Sequence, residues 1–593
     1  MKIHAKTVNV ASLFNVENER YVIPSYQRRY SWETQHVEEL LRDVETVSDG
    51  ETHLLGSIVC LTGAHTSGIN DLELVDGQQR ITTIMIVLIC IGERLKDADP
   101  SFNPSSIESL LRATAYGVES KPKLALDSLD SGEFQKHATR AAVPKPTNPR
   151  LAAAFQTVRS WASGMPPQDL YSFLFKLKTG SLVIRLEVSE AKDAFKLFET
   201  INNRGLSLSP TDIIKNFVLG YAARFGGPSL ELARARWTDL IAQLDGTSLD
   251  AFFRHYLCAK LKRRITVSFV IANFKATFLA QVTEASSLAG VPATAKATGS
   301  TDDPSDPLAG QPSISLAKAS LPPMTFADFL DELVVYATKY GEIVRCSTGN
   351  TTANRHLDNL RRINALQTFG FLMALRTAGC DDKTFIEILR LTEAFLMRRH
   401  TCRERANENE SLFARLCSID AGNPLGEITT EYRKLTPTDD KFRRAFADEN
   451  FTANLIERAR YCLEQFEYRL QGKYVELTVS GSSAVHVEHI IPQKIKSKQS
   501  VATHGDWVAY LGDGSVENHS RYVARIGNLT LISGTLNVTA SNGPYQKKRD
   551  LYRQSALRIT KAVADDSADF RFSEVDARSA MLADLAVQIW PAP

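Results

Sequence analysis

The hydrophobic periodicity of this 593-residue chain changes twice, and these changes constrain its fold more than any other feature. Residues 1–220 mix strand and helix patterns, residues 221–470 are almost wholly helical, and short strands return from residue 471 before the final helices. A single hydrophobic core rarely serves more than about 300 residues, so the chain must divide into domains. We predict an α+β multidomain protein with an N-terminal domain (1–220), a helical middle domain (221–470) and a C-terminal domain (471–593).

Local patterns predict several elements of the N-terminal domain. Tyr21–Pro24 is a short strand, and Leu182–Val188 alternates as a half-buried strand does. The apolar run Ile81–Gly92 is shorter than the roughly 20 residues that span a bilayer, so it predicts a buried core helix. Ser209 is placed to cap a helix that has Pro210 at its first position. Two further helices are predicted at Glu38–Val47 and Ala194–Ile201.

One stretch of the helical middle domain, residues 284–322, has a composition unlike the rest. It contains no aromatic residue and is rich in Ser, Ala, Pro, Gly and Thr. Such a segment buries too little apolar surface to offset the entropy lost on ordering. We therefore predict a flexible insert at 284–322.

Net charge and cysteine spacing limit the kinds of binding site and the cellular compartment that the chain is expected to have. The formal net charge is only +2, so any site for a polyanion must be a local feature. The eight cysteines stand singly, without the close spacing of a zinc knuckle or a redox motif, and no signal peptide opens the chain. These features predict a cytoplasmic protein with no membrane partner.

The segment VHVEHIIPQ, which begins at Val485, places a carboxylate and an imidazole in an apolar strand. A strand that only packs has no need of two groups that bind metals and protons. A polar loop follows, then IGNLTLISGTLN (526–537), then the basic run QKKRD (546–550). Between Val485 and Arg553, nine Lys and Arg residues stand against five Asp and Glu, a local excess that suits a polyanion.

The order and spacing of these residues resemble the His-Me finger, or HNH, nucleases, whose core is a ββα-metal fold. The resemblance implies that His489 is the general base that activates water, and that Glu488 and Asn537 hold Mg²⁺ or Mn²⁺. It also implies that Asn528, nine residues before Asn537, braces the loop that aims His489. The basic run supplies the implied phosphate and DNA contacts, Lys547 and Lys548.

Two other interpretations of the same residues stay open. His486 and His489 form an HxxH pair of the kind found in zinc sites, although no thiol or further histidine pair completes such a site nearby. Alternatively, a histidine on a strand is purely structural, and a lysine cluster is only a solvated surface. The nuclease interpretation depends on the order and spacing of the whole set rather than on charge.

Four N-terminal segments form a second constellation: IPSYQRRYSW (23–32), HLLGSIV (53–59), LVDGQQRITTI (74–84) and FKLFETINNRGLSLSPTDIIKN (195–216). Together they resemble the ParB/sulfiredoxin-like domain of GmrSD-type restriction proteins, a family that carries an HNH-type domain at its C-terminal end. The resemblance implies that this domain binds and hydrolyses a nucleoside triphosphate, GTP or ATP. The implied nucleotide-binding residues are Tyr26, Gln27, Arg28, Arg29, Asp76, Gly77, Gln78, Gln79, Arg80, Asn203, Arg204 and Lys215.

The residue types in these segments suit phosphate, but a simpler interpretation also stays open. Arginine offers a fork of donors to phosphate oxygens, and the DGQQR segment opens a helix, whose N-terminus attracts anions. There is no Walker A lysine motif. Asp76 and Gln79, however, have the spacing of a capping box, in which Asp76 would only cap the helix.

Taken together, the two resemblances predict an NTP-regulated, modification-sensing DNA endonuclease of phage defence that hydrolyses phosphodiester bonds with a divalent metal. Its expected partners are phage DNA, a nucleoside triphosphate and, in a homodimer, a second copy of the chain. The alternative is a non-catalytic, ParB-like DNA-binding regulator with a degenerate nuclease fold. RNA as the substrate is a third option that the sequence leaves open.

Overall fold

The computed structural model describes residues 3–48, 50–62, 65–66, 68–126, 129–202, 209–287, 321–419, 422–452, 455–472, 478–495 and 505–593. The chain forms two compact units. The first comprises Met1–Arg254 with Thr266–Thr338, and the second comprises His255–Ile265 with Lys339–Pro593. The predicted α+β character is confirmed. The divisions predicted after residues 220 and 470 fall inside helices, and neither coincides with a boundary between these units.

A mixed β-sheet organises the first unit. The strands of this unit are β1 (Ile3–Asn9), β2 (Glu19–Ile23), β3 (His53–Leu61), β4 (His65–Thr66), β5 (Ile69–Asp76), β6 (Arg112–Ala115), β7 (Val118–Pro122), β8 (Leu124–Leu126) and β9 (Ser181–Val188). Among the described residues, seven of them form one sheet in the order β1-β9-β3-β5-β2-β8, with β4 paired to β5. β2 is parallel to β5 and β8, and β3 is parallel to β9, whereas β6 and β7 form a separate hairpin. The predicted strands at Tyr21–Pro24 and Leu182–Val188 are confirmed as β2 and β9.

β9 is buried on both faces, whereas its alternating sequence predicts burial on one. It lies between β1 and β3, and Val183 and Arg185 are buried although they face away from the predicted apolar side. The guanidinium of Arg185 is tolerated there because it pairs with Glu19 at 2.9 Å and Glu187 at 2.8 Å. Tertiary pairing from β2 thus overrides the polarity pattern of the strand.

The helices between Val10 and Phe175 share one hydrophobic core with the sheet. The predicted core helix at Ile81–Gly92 is confirmed as the buried middle of the helix Gln78–Ala98. In the described part of the chain, no helix has the length and apolarity needed to cross a membrane. The helices within the unit are Val10–Phe14, Thr34–Glu45, Gln78–Ala98, Ser105–Leu111, Ser131–Ala138, Pro149–Ser163, Pro167–Phe175, Ala191–Asn202, Pro210–Phe225, Gly227–Gln243, Val270–Gln281 and Thr283–Ser287, with short turns at Lys176–Gly180 and Val267–Phe269. Two more helices, Leu249–Leu261 and Phe326–Val344, begin in the first unit and end in the second.

The predicted cap of the helix Pro210–Phe225 is confirmed. Ser209 is its N-cap, and the Ser209 Oγ accepts a hydrogen bond from the backbone nitrogen of Asp212 at 3.2 Å. The helices predicted at Glu38–Val47 and Ala194–Ile201 are present as Thr34–Glu45 and Ala191–Asn202. Of the insert predicted at 284–322, residues 288–320 lie outside the described residues.

The second unit is largely helical, and its described residues contain one pair of strands. β10 (Val485–His489) and β11 (Leu529–Ser533) are antiparallel, with His489 opposite Leu529 and Val485 opposite Ser533. A helix, Gly534–Ala540, follows β11 directly. The helices of this unit are Thr351–Arg362, Phe369–Thr377, Asp382–Thr401, Ala406–Leu416, Pro424–Leu435, Asp439–Asp448, Ile456–Gln471, Trp507–Leu511, Ser515–Tyr522, Gly534–Ala540, Tyr545–Arg553, Arg558–Asp566 and Phe572–Ile589, with short turns at Leu366–Thr368 and Ile526–Asn528.

Ile490 and Ile491 anchor the chain immediately after β10. Both side chains are fully buried, in a core cluster that includes Trp507, Ile532 and Tyr552. Burial of each isoleucine side chain stabilises the fold by roughly 1.5–3 kcal/mol. The two apolar residues therefore fix the position of the polar pair that precedes them in the sequence.

No disulfide bond joins cysteines in the described part of the chain. Cys60, Cys90, Cys380 and Cys462 are buried. Burial raises the pKa of Cys60 and of Cys90 to about 12. These thiols act as small apolar side chains of the cores.

Candidate functional site

Asn528 is fully buried at the point where the chain enters β11. Its Oδ1 accepts a hydrogen bond from the backbone nitrogen of Ile491 at 2.7 Å. Its Nδ2 donates to the carbonyl oxygens of Ile491 and Val523, both at 2.9 Å. These bonds use the amide oxygen and both amide hydrogens. Asn528 therefore ties the start of β11 to the segment that immediately follows His489.

The turn before β11 is itself clamped against the last helix of the chain. Gly527 donates its backbone N–H to Ser579 Oγ at 3.1 Å, and Arg578 donates to the carbonyl oxygens of Gly527 and Leu529 at 2.8 and 2.7 Å. A Cβ at Gly527 would lie 2.2 Å from the carbonyl oxygen of Val575, so only glycine fits. Burial lowers the pKa of Arg578 to about 10. Sequence reasoning missed Arg578 because no local pattern links it to this turn.

Glu488 and Lys548 form a buried ion pair. The Lys548 Nζ lies 2.6 Å from Glu488 Oε1 and donates to the carbonyl oxygens of His489 and Ile490 at 2.8 and 3.2 Å. The hydroxyl of Tyr552 donates to the same Oε1 at 3.3 Å. Tyr552 is one helical turn beyond Lys548, a spacing that places both side chains on one helix face. That spacing is the sequence signal by which Tyr552 could have been found.

The two lysines of the basic run therefore have different environments. Lys547 is exposed, and its contact with a phosphate stays a prediction. Lys548 is 1 % exposed and uses its three donors inside the fold, so its predicted phosphate contact is corrected here to a buried ion pair. Burial lowers the pKa of Lys548, against the opposing effect of Glu488. The order of residues alone could not distinguish these two neighbours. Which lysine is buried depends on the face of the helix that packs against the fold.

His489 is half-buried at the end of β10. The Gln493 Nε2 lies 3.3 Å from the His489 Nε2. Burial, assisted by Lys548 and the nearby His519, lowers the pKa of His489 to about 4. The imidazole is therefore neutral at neutral pH, the state in which it can accept a proton from water. His519 is positioned by donating its Nε2–H to the carbonyl oxygen of Pro492 at 2.7 Å.

Asn537 and His486 approach each other between the helix Gly534–Ala540 and β10. The Asn537 Nδ2 lies 3.2 Å from the His486 Nδ1. Side chains two residues apart on a strand leave the same face, so His486 shares a face of β10 with Glu488. His489, three residues after His486, leaves the opposite face. The structure thus places Asn537 on the side of β10 that carries Glu488.

The donor atoms on this side fit a hard divalent cation. Within the described chain, both hydrogen bonds to Glu488 fall on Oε1, and Oε2 has no donor. The Asn537 amide can offer its oxygen, and Mg²⁺ and Mn²⁺ accept carboxylate and amide oxygens. The described residues include no group of three or more His, Cys, Asp or Glu side chains that could hold a metal. The zinc interpretation of His486 and His489 therefore has no support, since the two rings also leave opposite faces of β10.

In the first unit, a cluster of buried charges lies where β5 ends. Asp76 is the last residue of β5, and burial raises the pKa of its carboxyl. Burial lowers the pKa of both Arg80 and Lys215. The Lys215 Nζ lies 3.6 Å from Asp212 Oδ1, and Lys215 and Arg28 lower the pKa of Asp212 against the effect of burial. The cluster brings together Asp76, Arg80 and Lys215 from the predicted nucleotide set.

The helix after β5 does not begin with the predicted capping box. Gly77 is its N-cap, with a left-handed φ of 86°, and no side chain caps the first turn. Gln79 instead accepts a hydrogen bond from the backbone nitrogen of Ser31 at 2.8 Å and donates to the carbonyl oxygen of Arg29 at 3.3 Å. The capping interpretation of Asp76 and Gln79 is therefore wrong. The left-handed turn at Gly77 starts the helix, and among the described residues the Asp76 carboxylate accepts a backbone hydrogen bond from Gly77 only.

Tyr26, Gln27 and Arg29 make contacts within the fold, and their nucleotide contacts stay predictions. The hydroxyl of Tyr26 binds a carboxylate, and Gln27 donates to two carbonyl oxygens of β5. Arg29 pairs with Asp130 at 2.6 Å and with Asp245 at 2.9 Å. These three side chains hold the loop that follows β2.

Arg28, by contrast, is partly open to solvent. Its side chain is 36 % exposed, and its Nε lies 3.5 Å from Asp212 Oδ2. With Arg150 it lines an open cavity of about 650 Å³, a volume typical of small-molecule sites. Two other predicted nucleotide-binding residues, Asn203 and Arg204, lie outside the described residues.

Gln78 and Arg80 lie at the charged cluster, where Gln78 contacts Arg28 and Arg80 interacts electrostatically with Asp76. Gln78 is buried and donates its Nε2 to the carbonyl oxygen of Arg28 at 3.4 Å, but its Oε1 has no hydrogen-bond partner. A buried acceptor without a donor costs about 1–3 kcal/mol, so it indicates a position for a ligand donor or a water. The Arg80 guanidinium packs on Gly56, where a Cβ would lie 2.7 Å away, and donates to the carbonyl oxygen of Ser57 at 2.9 Å.

Two family models match the chain. The model described as the N-terminal domain of the GmrSD restriction endonuclease matches residues 10–219. The model described as the C-terminal domain of the GmrSD restriction endonucleases matches residues 436–585. The first match contains the charged cluster around Asp76, and the second contains β10, β11 and the helices that carry Asn537 and Lys548. No curated protein matches the chain.

Proposed function

The chain belongs to the GmrSD restriction endonucleases, and from this premise we propose that its DNA endonuclease centre is formed by His489, Glu488 and Asn537. The observation that carries the proposal is the brace made by Asn528. Three side-chain hydrogen bonds hold the segment next to a neutral imidazole, and the preceding residue of the strand, Glu488, has a carboxylate oxygen that suits a hard cation. A fixed base, a metal site and a nearby phosphate contact are what phosphodiester hydrolysis requires.

In the proposed mechanism, His489 accepts the proton of the attacking water. Its low pKa keeps the ring unprotonated and ready for this step, and Asn528 limits the movement of the segment that follows it. Glu488 and Asn537 would hold Mg²⁺ or Mn²⁺, which when bound stabilises negative charge on the phosphate and on the leaving oxygen. Lys547, which is exposed, contacts a flanking phosphate of the DNA.

We further propose that the first unit binds GTP or ATP and thereby regulates cleavage of modified phage DNA. The supporting observations are the exposed guanidinium fork of Arg28 at an open cavity and the unpartnered Oε1 of Gln78. Asp76 and Asp212 supply carboxylates in the same cluster, and these suit the cation that accompanies a triphosphate. The charged cluster and the cavity thus offer both cationic and anionic groups, as a metal–nucleotide complex requires.

A plasmid-nicking assay with the full chain tests the endonuclease proposal. His489→Ala should lower the rate about 10²- to 10⁴-fold, the usual loss when a general base is removed, while DNA binding and the melting temperature stay close to wild type. His4→Ala, at an exposed histidine of β1, is the matched control and should cleave normally. Full metal-dependent nicking by His489→Ala would exclude His489 from the mechanism. Absence of nicking by the wild type on modified and unmodified DNA, with either metal, would favour the non-catalytic regulator.

A further inference from the structure

His486 has a position that the proposed mechanism leaves unexplained. It is half-buried on β10, on the face that carries Glu488, and Asn537 is its only hydrogen-bond partner among the described residues. It is not the candidate general base, which leaves the opposite face of the strand. Its ring lies over Gly534, where an added Cβ would be 3.5 Å from the His486 Cε1. A histidine that contacts one proposed metal ligand and shares a strand face with the other is suited to act on the metal itself.

The separation of the donor atoms fits shared coordination. A half-turn of the Asn537 amide exchanges its nitrogen and oxygen, which brings an oxygen to the position 3.2 Å from the His486 Nδ1. Neighbouring corners of an octahedron with bonds of about 2.1 Å are about 3 Å apart. The imidazole nitrogen and the amide oxygen can therefore occupy adjacent positions around one ion. From this geometry we infer that His486 is a third protein ligand of the divalent ion, an inference that rests on the proposed function.

An imidazole ligand changes which ion the centre prefers. Carboxylate and amide oxygens suit Mg²⁺, whereas a ring nitrogen binds first-row transition ions more strongly. The centre therefore favours Mn²⁺ over Mg²⁺ to a greater degree than Glu488 and Asn537 alone would produce. Loss of an outer-shell partner already lowers metal affinity about 10- to 100-fold, so loss of the ligand should lower Mn²⁺ affinity at least about tenfold. The affinity for Mg²⁺ should change less.

Pulsed electron paramagnetic resonance of the Mn²⁺-loaded full chain tests the inference directly, because it detects the ¹⁴N nucleus of a coordinated imidazole. The nitrogen signal should be present in the wild type and in His489→Ala, which removes the other nearby ring. It should be absent in His486→Ala and in His486→Gln. Calorimetric titrations of Mn²⁺ and Mg²⁺ into the same proteins measure the change in preference, and melting curves show that each variant folds.

The outcomes separate the inference from the proposed function. Mn²⁺ binding to the wild type without a nitrogen signal overturns the role of His486 as a ligand and leaves the endonuclease proposal intact. A signal that disappears in His489→Ala and persists in His486→Ala also overturns it, since His489 would then be the ligand. Wild-type Mn²⁺ affinity in His486→Gln would reduce His486 to a hydrogen-bonding support for Asn537. No binding of either metal by the wild type, with or without DNA, would refute the metal centre as a whole.

Discussion

The buried ion pair between Glu488 and Lys548 changes the roles that the sequence motif predicts for these two residues. From the sequence, one residue is a metal ligand and the other is a phosphate contact. In the fold, Lys548 neutralises part of the charge on Glu488 and leaves only Oε2 of that carboxylate without a donor. The proposed metal site therefore has little net negative charge of its own. The phosphate of the DNA would contribute the charge that completes it.

The two adjacent lysines offer a matched test of this arrangement. Lys548→Met should destabilise the second unit by about 3–5 kcal/mol, because it leaves Glu488 buried without its counter-charge. Lys547→Met should change stability by no more than about 0.5 kcal/mol, and it should weaken DNA binding and reduce the salt dependence of that binding. Urea unfolding and fluorescence-anisotropy titrations at several salt concentrations measure both effects. Equal stability of the two variants would show that the ion pair is not maintained in solution.

At the scale of secondary structure, the centre depends on one strand pair and the turn that enters it. The register places His489 opposite Leu529, the residue after Asn528. A shift of one residue would move every side chain of β10 to the other face. His489 would then lie on the face that Glu488 now occupies. Three groups oppose such a shift: the Asn528 amide, the buried Ile490 and Ile491, and the clamp of Gly527 on the last helix. The position of the base therefore follows from the pairing of the elements.

Gly527→Ala tests the clamp between the turn and the last helix. The new methyl group would overlap the backbone of that helix, so we expect a loss of at least about 1–3 kcal/mol and a large fall in nicking as Asn528 is displaced. Gly426→Ala is the matched control, because Gly426 lies in an exposed helix with no atom near the added Cβ, and it should stabilise by up to about 1 kcal/mol. Melting curves and nicking rates of both variants measure these effects. Normal nicking by Gly527→Ala would show that the turn can relax without moving Asn528.

The sequence predicts those elements whose cause is local. The cap at Ser209 and the strand Leu182–Val188 follow from neighbouring residues, and both are present. The sequence does not predict the burial of a side chain that depends on a contact between distant segments. Arg185 is buried because β2 brings it a carboxylate, and Lys548 is buried because its helix packs on β10. The catalytic role of the candidate site residues is still a prediction, although their placement is now described.

At the scale of the whole molecule, the two candidate sites lie in different compact units. The charged cluster and its cavity belong to the first unit, and the endonuclease centre belongs to the second. Regulation by nucleotide, if it follows the proposal, must therefore be a coupling of binding free energies between two sites. Such a coupling can be removed without damage to the chemistry of either site.

Arg28→Ala should separate regulation from cleavage. Arg28 is partly exposed and its pairing with Asp212 is loose, so its loss should cost little stability but remove a charge-assisted contact, which would weaken nucleotide binding by about 1.5–3 kcal/mol. The variant should keep its metal-dependent nicking and lose the response to GTP or ATP. Calorimetric titration of each nucleotide and nicking assays with and without it are the measurements.

Arg159→Ala is the control for this experiment. Arg159 pairs with Glu93 and does not line the cavity at Arg28, so its removal should lower the stability of the first unit and affect nucleotide affinity only through that loss. Wild-type nucleotide affinity in Arg28→Ala would remove Arg28 from the nucleotide site. A loss of basal nicking in a folded Arg28→Ala protein would show that the two sites are not separable.

The buried thiols of this chain favour site-specific fluorescent labelling at an introduced cysteine. Maleimide dyes react with the thiolate, and burial that raises the pKa of Cys60, Cys90 and Cys417 to about 12 leaves almost none of it at neutral pH. A cysteine introduced at Val538, which is 79 % exposed beside Asn537, would have an ordinary reactivity and would take the dye first. A fluorophore at this point would report the arrival of DNA at the centre without removal of any native cysteine.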